Sequence, residues 1–331
     1  MDWASLTPLL IKLVVVIIVS AIIAGISLLH VAYLTYAERK IIARMQQRLG
    51  PNRVGPRGLL QPFADMFKLL AKEEIVPYGV DKPIFYIAPL ISLVCAGTGV
   101  ALIPLWKGFV LSNINVGLLF ILALSGLSSY GVILSGWSSN SRYAFLGGLR
   151  ASAQVISYEI AMSLALLSVV LMAGSLNLGD IVQAQANSPY KLYLIPQIVA
   201  FFVFMISAIA ECNRTPFDLP ECENELVAGY FVEYSAMRFS IFYLAEYFGM
   251  LVMSALAVTC FLGGWWGPFD IPYIPCFWFL VKLYFILFAY IWVRATLPRY
   301  RYDQLMGLGW KVLIPVALAN LFVTAFLKLI L

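Results

Sequence analysis

Apolar residues run through this 331-residue chain in long unbroken blocks, at about 9–34, 84–104, 115–136, 149–173, 194–211, 234–262, 276–295 and 310–330. A helix rising about 1.5 Å per residue needs roughly 20 residues to cross an apolar layer about 30 Å thick, and each block is near or above that length. The pattern predicts an all-α polytopic membrane protein with about eight transmembrane helices. A membrane barrel is excluded, because its strands would be short and would alternate polar with apolar positions. The stretch 59–72 has a different period. Phe63, Met66, Phe67 and Leu70 share one helical face and Asp65, Lys68 and Lys72 the other, which predicts an interfacial amphipathic helix with Pro62 tolerated in its first turn. The first block is too long for a cleaved signal core and lacks a small-residue cleavage pattern, so it reads as a retained span.

Composition agrees and adds a topology. Mean hydropathy is +0.89 and charged residues make up 12% of the chain, far fewer than in a soluble domain. No stretch is left over for one, so residues 1–331 read as a single membrane domain. The net charge of +5 is distributed by connection rather than gathered into a nucleic-acid surface. Arg39, Lys40, Arg44, Arg48, Arg53 and Arg57 follow the first span, Arg142 and Arg150 the third, Arg214 the fifth, and Arg294, Arg299 and Arg301 the seventh, whereas the opposite connections carry little beyond Lys107 and Lys191. Positive charge stays inside, so the odd-numbered connections are expected on the cytoplasmic (or matrix) side and both termini on the other.

Chemistry-bearing residues are few. The five cysteines form no CxxC pair and His30 is the only histidine, so a metal or cluster site within the chain is not expected and the cysteines read as free thiols. The glycine-rich run from Gly50 to Gly58 lacks the Gly-Lys-Ser/Thr ending of a phosphate loop. Any redox cofactor would come with another chain. Its two Gly-Pro pairs instead fix a rigid turn, after which the amphipathic helix is either a surface anchor on anionic lipid or a lipid-level doorway for an amphiphile, with Phe63 and Met66 on its wall and Arg39, Arg48 or Asp65 at its polar end.

Acidic residues are the anomaly. Seven carboxylates, Glu211, Asp218, Glu221, Glu223, Glu225, Glu233 and Glu246, fall between two long apolar blocks or inside them. Glu159, Glu246 and Lys282 lie within spans, where each ionised group costs roughly 2.5–3.5 kcal/mol unless it is paired, hydrated or protonated. Either Glu159 or Glu246 pairs with Lys282 and glues helices together, or these groups bind protons for a purpose. A helix starting near Pro220 would stack Glu221, Glu225 and Glu233 on one face leading toward Glu246. Like charges that close share protons rather than all ionising. Asn213, Arg214 and Thr215 supply donors that could hold the loop, and Arg214 could neutralise one carboxylate.

Several long motifs then carry a resemblance over nearly the whole chain: Glu38-Arg39-Lys40, Gln47 to Pro56, Leu60 to Asp65, Ser157-Tyr158-Glu159, Glu211 to Glu225 with Glu233-Tyr234, and Arg294 to Leu305. In these the chain resembles the H-subunit (subunit 1) family of proton-translocating NADH:quinone oxidoreductase, respiratory complex I. Cys212 and Cys222 stand where that family often has a small residue. The resemblance implies a multi-pass subunit of an energy-transducing membrane, the bacterial inner membrane, at the junction of the membrane and hydrophilic arms. It implies a quinone substrate, ubiquinone or menaquinone, with no covalently bound cofactor. FMN and iron–sulfur clusters are expected on partner subunits. The implied partners are the cluster-bearing and quinone-site hydrophilic subunits and the small and antiporter-like membrane subunits, besides the lipid bilayer, with no nucleic acid. Carried onto these residues, the quinone path would use Arg39, Arg48, Phe63, Asp65, Met66, Arg238, Arg294 and Arg299; lipid anchoring or topology signalling is the plainer reading of each arginine. Coupling would use Glu159, Glu211, Asp218, Glu221, Glu223, Glu225, Glu233 and Glu246. A related subunit of a membrane-bound hydrogenase, or of a dehydrogenase using reduced deazaflavin or ferredoxin, shares this architecture. An independent proton-coupled transporter is the more distant alternative, disfavoured by the large basic loop and by the absence of a visible internal repeat.

Overall fold

A computed structural model describes residues 3–189, 191–218, 229–268 and 275–330, with side chains from Val14 onward. The described residues form helices and turns, without a β-strand. The chain divides into two compact units, Met1–Met66 and Phe67–Leu331.

In the first unit, α1 (Trp3–Met45) is one helix of 43 residues, about 65 Å long. The apolar block predicts an end near residue 34, yet the helix continues through Glu38, Arg39 and Lys40. Hydropathy marks where a helix leaves the apolar layer, not where it stops. The turn that follows closes on itself: Gly58 has φ +83°, and a Cβ there would lie 2.3 Å from the Pro51 carbonyl oxygen, so only glycine fits. Tyr36 Oη donates to the Arg57 carbonyl at 2.7 Å and ties the turn back to α1. The amphipathic helix α2 (Gln61–Ala71) begins in this unit and runs on into the second.

The second unit contains α3 (Lys82–Val100), α4 (Gly117–Ser138), α5 (Arg142–Ala173), α6 (Leu178–Asn187), α7 (Ile198–Glu211), a 3₁₀ turn at Gly229–Phe231, α8 (Ala236–Phe261), α9 (Phe277–Thr296) and α10 (Tyr302–Ile330), the last with a π-helical turn at Gly309–Leu313. Every residue from Met250 to Phe261 is buried, and a helix apolar on all sides is what a core position demands. Among the described residues, and including α1, seven helices are long and apolar enough to cross a membrane, and α7 is a shorter apolar one.

Several elements depart from the pattern-based reading. Helices α5 and α10 begin seven or more residues earlier than their apolar blocks, again because polar turns extend them beyond the apolar layer. Helix α6 occupies what reads as a connection. Its buried residues Leu178, Ile181, Val182 and Gln185 keep helical spacing, and the Asn177 side chain caps it by accepting from the Gly179 amide at 2.8 Å. The helix expected from Pro220 to Glu233 is not seen at its described end: residues 229–231 form a 3₁₀ turn and α8 starts only at Ala236. Gly229 has φ +54°, and its Cα would lie 2.5 Å from a Cβ on Gly147 of α5, so two glycines meet where α-helical side chains would collide.

Candidate functional site

Helix α7 has 14 residues, about 21 Å of helix, which is shorter than the apolar layer. Its C-terminal residue, Glu211, therefore ends among the middles of longer helices. It lines a cavity of about 90 Å³ together with Ser92 of α3, Ser125 and Ser128 of α4, Tyr230, and Glu246 of α8. That volume is enough for several water molecules beside polar groups.

Glu211 and Glu246 line the cavity from two helices, and Glu159 approaches Glu211 from a third. The Ser125 hydroxyl faces Glu211, and Glu159 of α5 lies close enough to act on it electrostatically. Glu211 Oε2 is buried and has no hydrogen-bond partner among the described residues. Glu159 approaches the same turn of α4, with its carboxylate over Gly126. Glu246 Oε1 accepts from Tyr230 Oη at 3.4 Å. The serines donate to helix carbonyls, Ser125 to Leu122 and Ser128 to Ser125, each at 2.8 Å, which leaves their oxygen lone pairs as acceptors.

The segment after Glu211 is buried and held from several sides. Gln154 of α5, fully buried, donates through Nε2 to the carbonyls of Ala210 at 2.7 Å and Phe217 at 2.8 Å. The Arg214 guanidinium, 5% exposed, lies 4.1 Å from the Tyr247 ring centroid, a cation–π contact strengthened by exclusion of water. Asp218, 3% exposed, accepts from Arg299 Nη2 at 3.3 Å. Tyr300 donates its amide to the Pro216 carbonyl at 3.1 Å, and its ring stacks on Phe217 at 5.7 Å. Residues 299–300 are thus fastened to residues 216–218.

Lys282 rules out one of the two readings of the charges within spans. It pairs with neither Glu159 nor Glu246; its Nζ donates to the carbonyls of Leu262, Gly264 and Trp266 at 2.6, 3.1 and 2.5 Å. These carbonyls follow the C-terminus of α8, where backbone oxygens lack helical partners and favour a cation.

Of the other coupling candidates, Glu233 lies half-buried in the turn after the 3₁₀ segment and does not line the cavity. Glu221, Glu223 and Glu225 lie outside the described residues. Where the structure describes the coupling candidates, Glu211 and Glu246 line one cavity and Glu159 lies near Glu211, each on a separate helix.

The quinone-path candidates divide between the units. In the first, Asp65 accepts from Arg39 Nη1 at 2.6 Å and from Gln61 Nε2 at 2.9 Å. Phe63 meets Tyr33 edge-on at 6.3 Å, Met66 is exposed, and Arg48 Nε donates to Gln46 at 2.7 Å. In the second, Arg238 pairs with Glu74 at 2.7 Å and its guanidinium lies 3.9 Å from the Tyr86 ring centroid. Arg294 sits in the last turn of α9. The pattern of charges misses Glu74, Gln154, Ser125 and Tyr230. Gln154 alone gave a signal, a lone amide five residues before Glu159 in an apolar span.

Comparisons with known proteins agree with one another. The model of the family described as NADH dehydrogenase matches residues 15–325. The chain is 57% identical over 297 residues to the H subunit of NADH-quinone oxidoreductase from Rickettsia bellii (strain OSU 85-389), covering 88% of this chain and 87% of that protein. The H subunits of the same enzyme from Rickettsia typhi (strain ATCC VR-144 / Wilmington) and Rickettsia prowazekii (strain Madrid E) are each 56% identical with the same coverage.

Proposed function

The chain belongs to the H-subunit family of NADH-quinone oxidoreductase, a membrane component of that enzyme, and from this membership we propose that it forms much of the quinone chamber and couples quinone reduction to proton translocation. The observation that supports the coupling half is the pair Glu211 and Glu246 lining the cavity where α7 ends, with Glu159 close enough to Glu211 to act on it electrostatically. Reducing a quinone to a quinol consumes protons, so the reaction changes charge beside any acidic row that borders it. A carboxylate in a low-dielectric interior responds to such a change by binding or releasing a proton. Serine oxygens, the Tyr230 hydroxyl and several waters in about 90 Å³ would let protons pass between Glu211 and Glu246.

For the chamber, Arg39 and Asp65 form a charged pair beside Phe63 and Met66 on the amphipathic helix, a polar end and an apolar wall of the kind that receives an amphiphile. Arg48, Arg238, Arg294 and Arg299 complete the proposed set. The substrate is ubiquinone or menaquinone. The expected setting is the energy-transducing inner membrane with the odd-numbered connections cytoplasmic. There the cluster-bearing and quinone-site hydrophilic subunits and the small and antiporter-like membrane subunits would be its partners.

Glu211→Gln and Glu246→Gln test the coupling half. In the assembled complex each should lower protons translocated per electron, or quinone-linked turnover, by about tenfold or more, since a positioned proton-transferring group contributes roughly 10²–10⁴-fold. Electron transfer from NADH to a soluble acceptor that bypasses quinone should be retained. Normal pumping in either assembled variant would remove that residue from the row.

A further inference from the structure

Gly126 stands beside Ser125 on the turn of α4 that faces Glu211. A Cβ placed on it would have as its three nearest neighbours Glu159 Oε1 at 3.0 Å, Oε2 at 3.4 Å and Cδ at 3.6 Å. No other described glycine is set against a carboxylate in this way: a Cβ on Gly99 would meet Val252, and one on Gly97 would meet nothing within 4 Å. Gly99 thus serves the close approach of two apolar helices, whereas the space at Gly126 is filled by a carboxyl group.

We propose that Gly126 is a positioning residue for Glu159: its missing side chain is the seat in which the carboxylate rests against α4, beside the hydroxyl that faces Glu211. The inference deepens the proposed coupling role of Glu159 and rests on it. Two physical consequences follow from the seat. A methyl group at 126 would displace the carboxylate by a few tenths of an ångström, because 3.0 Å is closer than a Cβ and a carboxylate oxygen normally approach. It would also cover peptide groups of α4 that otherwise give the charge a polar neighbour. Both act first on the carboxylate, whose atoms are the three nearest to that position. Alanine is a better helix former than glycine, so the substitution does not weaken α4 itself.

The test is a double-mutant cycle in the assembled complex, with Gly126→Ala, Glu159→Asp, the pair together, and Glu159→Gln alongside. Misplacing a reacting group by well under 1 Å should cost roughly two- to tenfold in protons per electron or in quinone-linked turnover for Gly126→Ala. Aspartate draws the carboxylate back by one methylene, away from the new methyl, so the double variant should lose clearly less than the product of the two single losses. A merely structural effect at residue 126 would not be relieved by shortening residue 159. An unchanged Gly126→Ala variant, or losses that simply multiply, would overturn the seat. Normal pumping by Glu159→Gln would instead overturn the coupling role beneath it, which keeps the two failures apart.

Discussion

Replacing Gln154 with leucine isolates what holds the C-terminal end of α7 in place. Leucine is close to glutamine in volume, so the packing of α5 is retained while the Nε2 donor is lost. The Ala210 carbonyl keeps a second donor, the Asn213 amide at 3.2 Å, so its loss is one ordinary hydrogen bond, about 0.5–1.5 kcal/mol. The Phe217 carbonyl accepts from Gln154 at 2.8 Å, and leaving a buried carbonyl unmade costs about 1–3 kcal/mol. Against this, Gln154 Oε1 is itself buried with no partner among the described residues, and deleting it returns part of that sum. The net expectation is a local destabilisation of roughly 1–3 kcal/mol. Hydrogen exchange in the assembled complex, read on a peptide covering residues 211–218, measures it directly. Local opening should become about 5- to 150-fold more frequent, and protection elsewhere in α5 should be unchanged. Proton pumping should fall with it, because Glu211 is the residue next to Ala210. Wild-type exchange across 211–218 would refute the claim that Gln154 pins this segment.

Two further substitutions separate structure from coupling. Lys282→Met removes three charged hydrogen bonds to the carbonyls after α8 and should lower the thermal tolerance of the complex, by about 2–4 kcal/mol after allowing for partial exposure. Protons per electron should stay unchanged, and lost pumping at wild-type stability would return Lys282 to the charge row. Phe63→Ala removes an aromatic ring from the amphipathic helix and should raise the apparent KM for quinone by roughly tenfold, the worth of about 1.4 kcal/mol of apolar contact. An unchanged KM together with unchanged inhibitor sensitivity would leave α2 as a surface anchor.

What the sequence discloses about this molecule depends on the cost of each feature. Burying an apolar helix is the largest favourable term, and the seven span-length helices among the described residues and the shorter apolar α7 are legible from continuous hydropathy. Helix ends beyond the membrane cost little in either direction, which is why α1, α5 and α10 outrun their apolar blocks. Helix α6 is short enough that a span-length window passes over Leu178, Ile181, Val182 and Gln185. Charges inside spans are expensive, so Glu159, Glu211 and Glu246 stand out before any coordinates are known. Neutral groups are not: Tyr230 resembles an ordinary buried polar residue, and Gln154 stands out only as a lone amide in an apolar span. The described end of the ladder, at Glu233, departs from α-helical spacing for a different reason. Helical spacing describes residues on one helix, and the Gly147–Gly229 contact at the described 3₁₀ turn joins positions 82 apart in the chain.

The same long-range closure gives the acidic stretch its physical meaning. Glu211 is followed within seven residues by Asp218, and the stretch between is attached at both ends: to α5 through Gln154, and to the segment after α9 through Asp218–Arg299 and Pro216–Tyr300. Tyr158, the neighbour of Glu159, donates to the Leu305 carbonyl at 2.9 Å and packs its ring 5.7 Å from Phe217. The segment 299–305 therefore touches elements bearing two of the three intramembrane carboxylates without contributing a carboxylate to the cavity. In a tightly packed interior a shift at such a segment is transmitted rather than absorbed. Arg299, whose motif suggests the quinone path, and Asp218, whose motif suggests coupling, are one ion pair. Within the proposed function, the division of these residues into a quinone set and a coupling set is thus a division of labels: at Asp218 and Arg299 the two sets are bonded to each other.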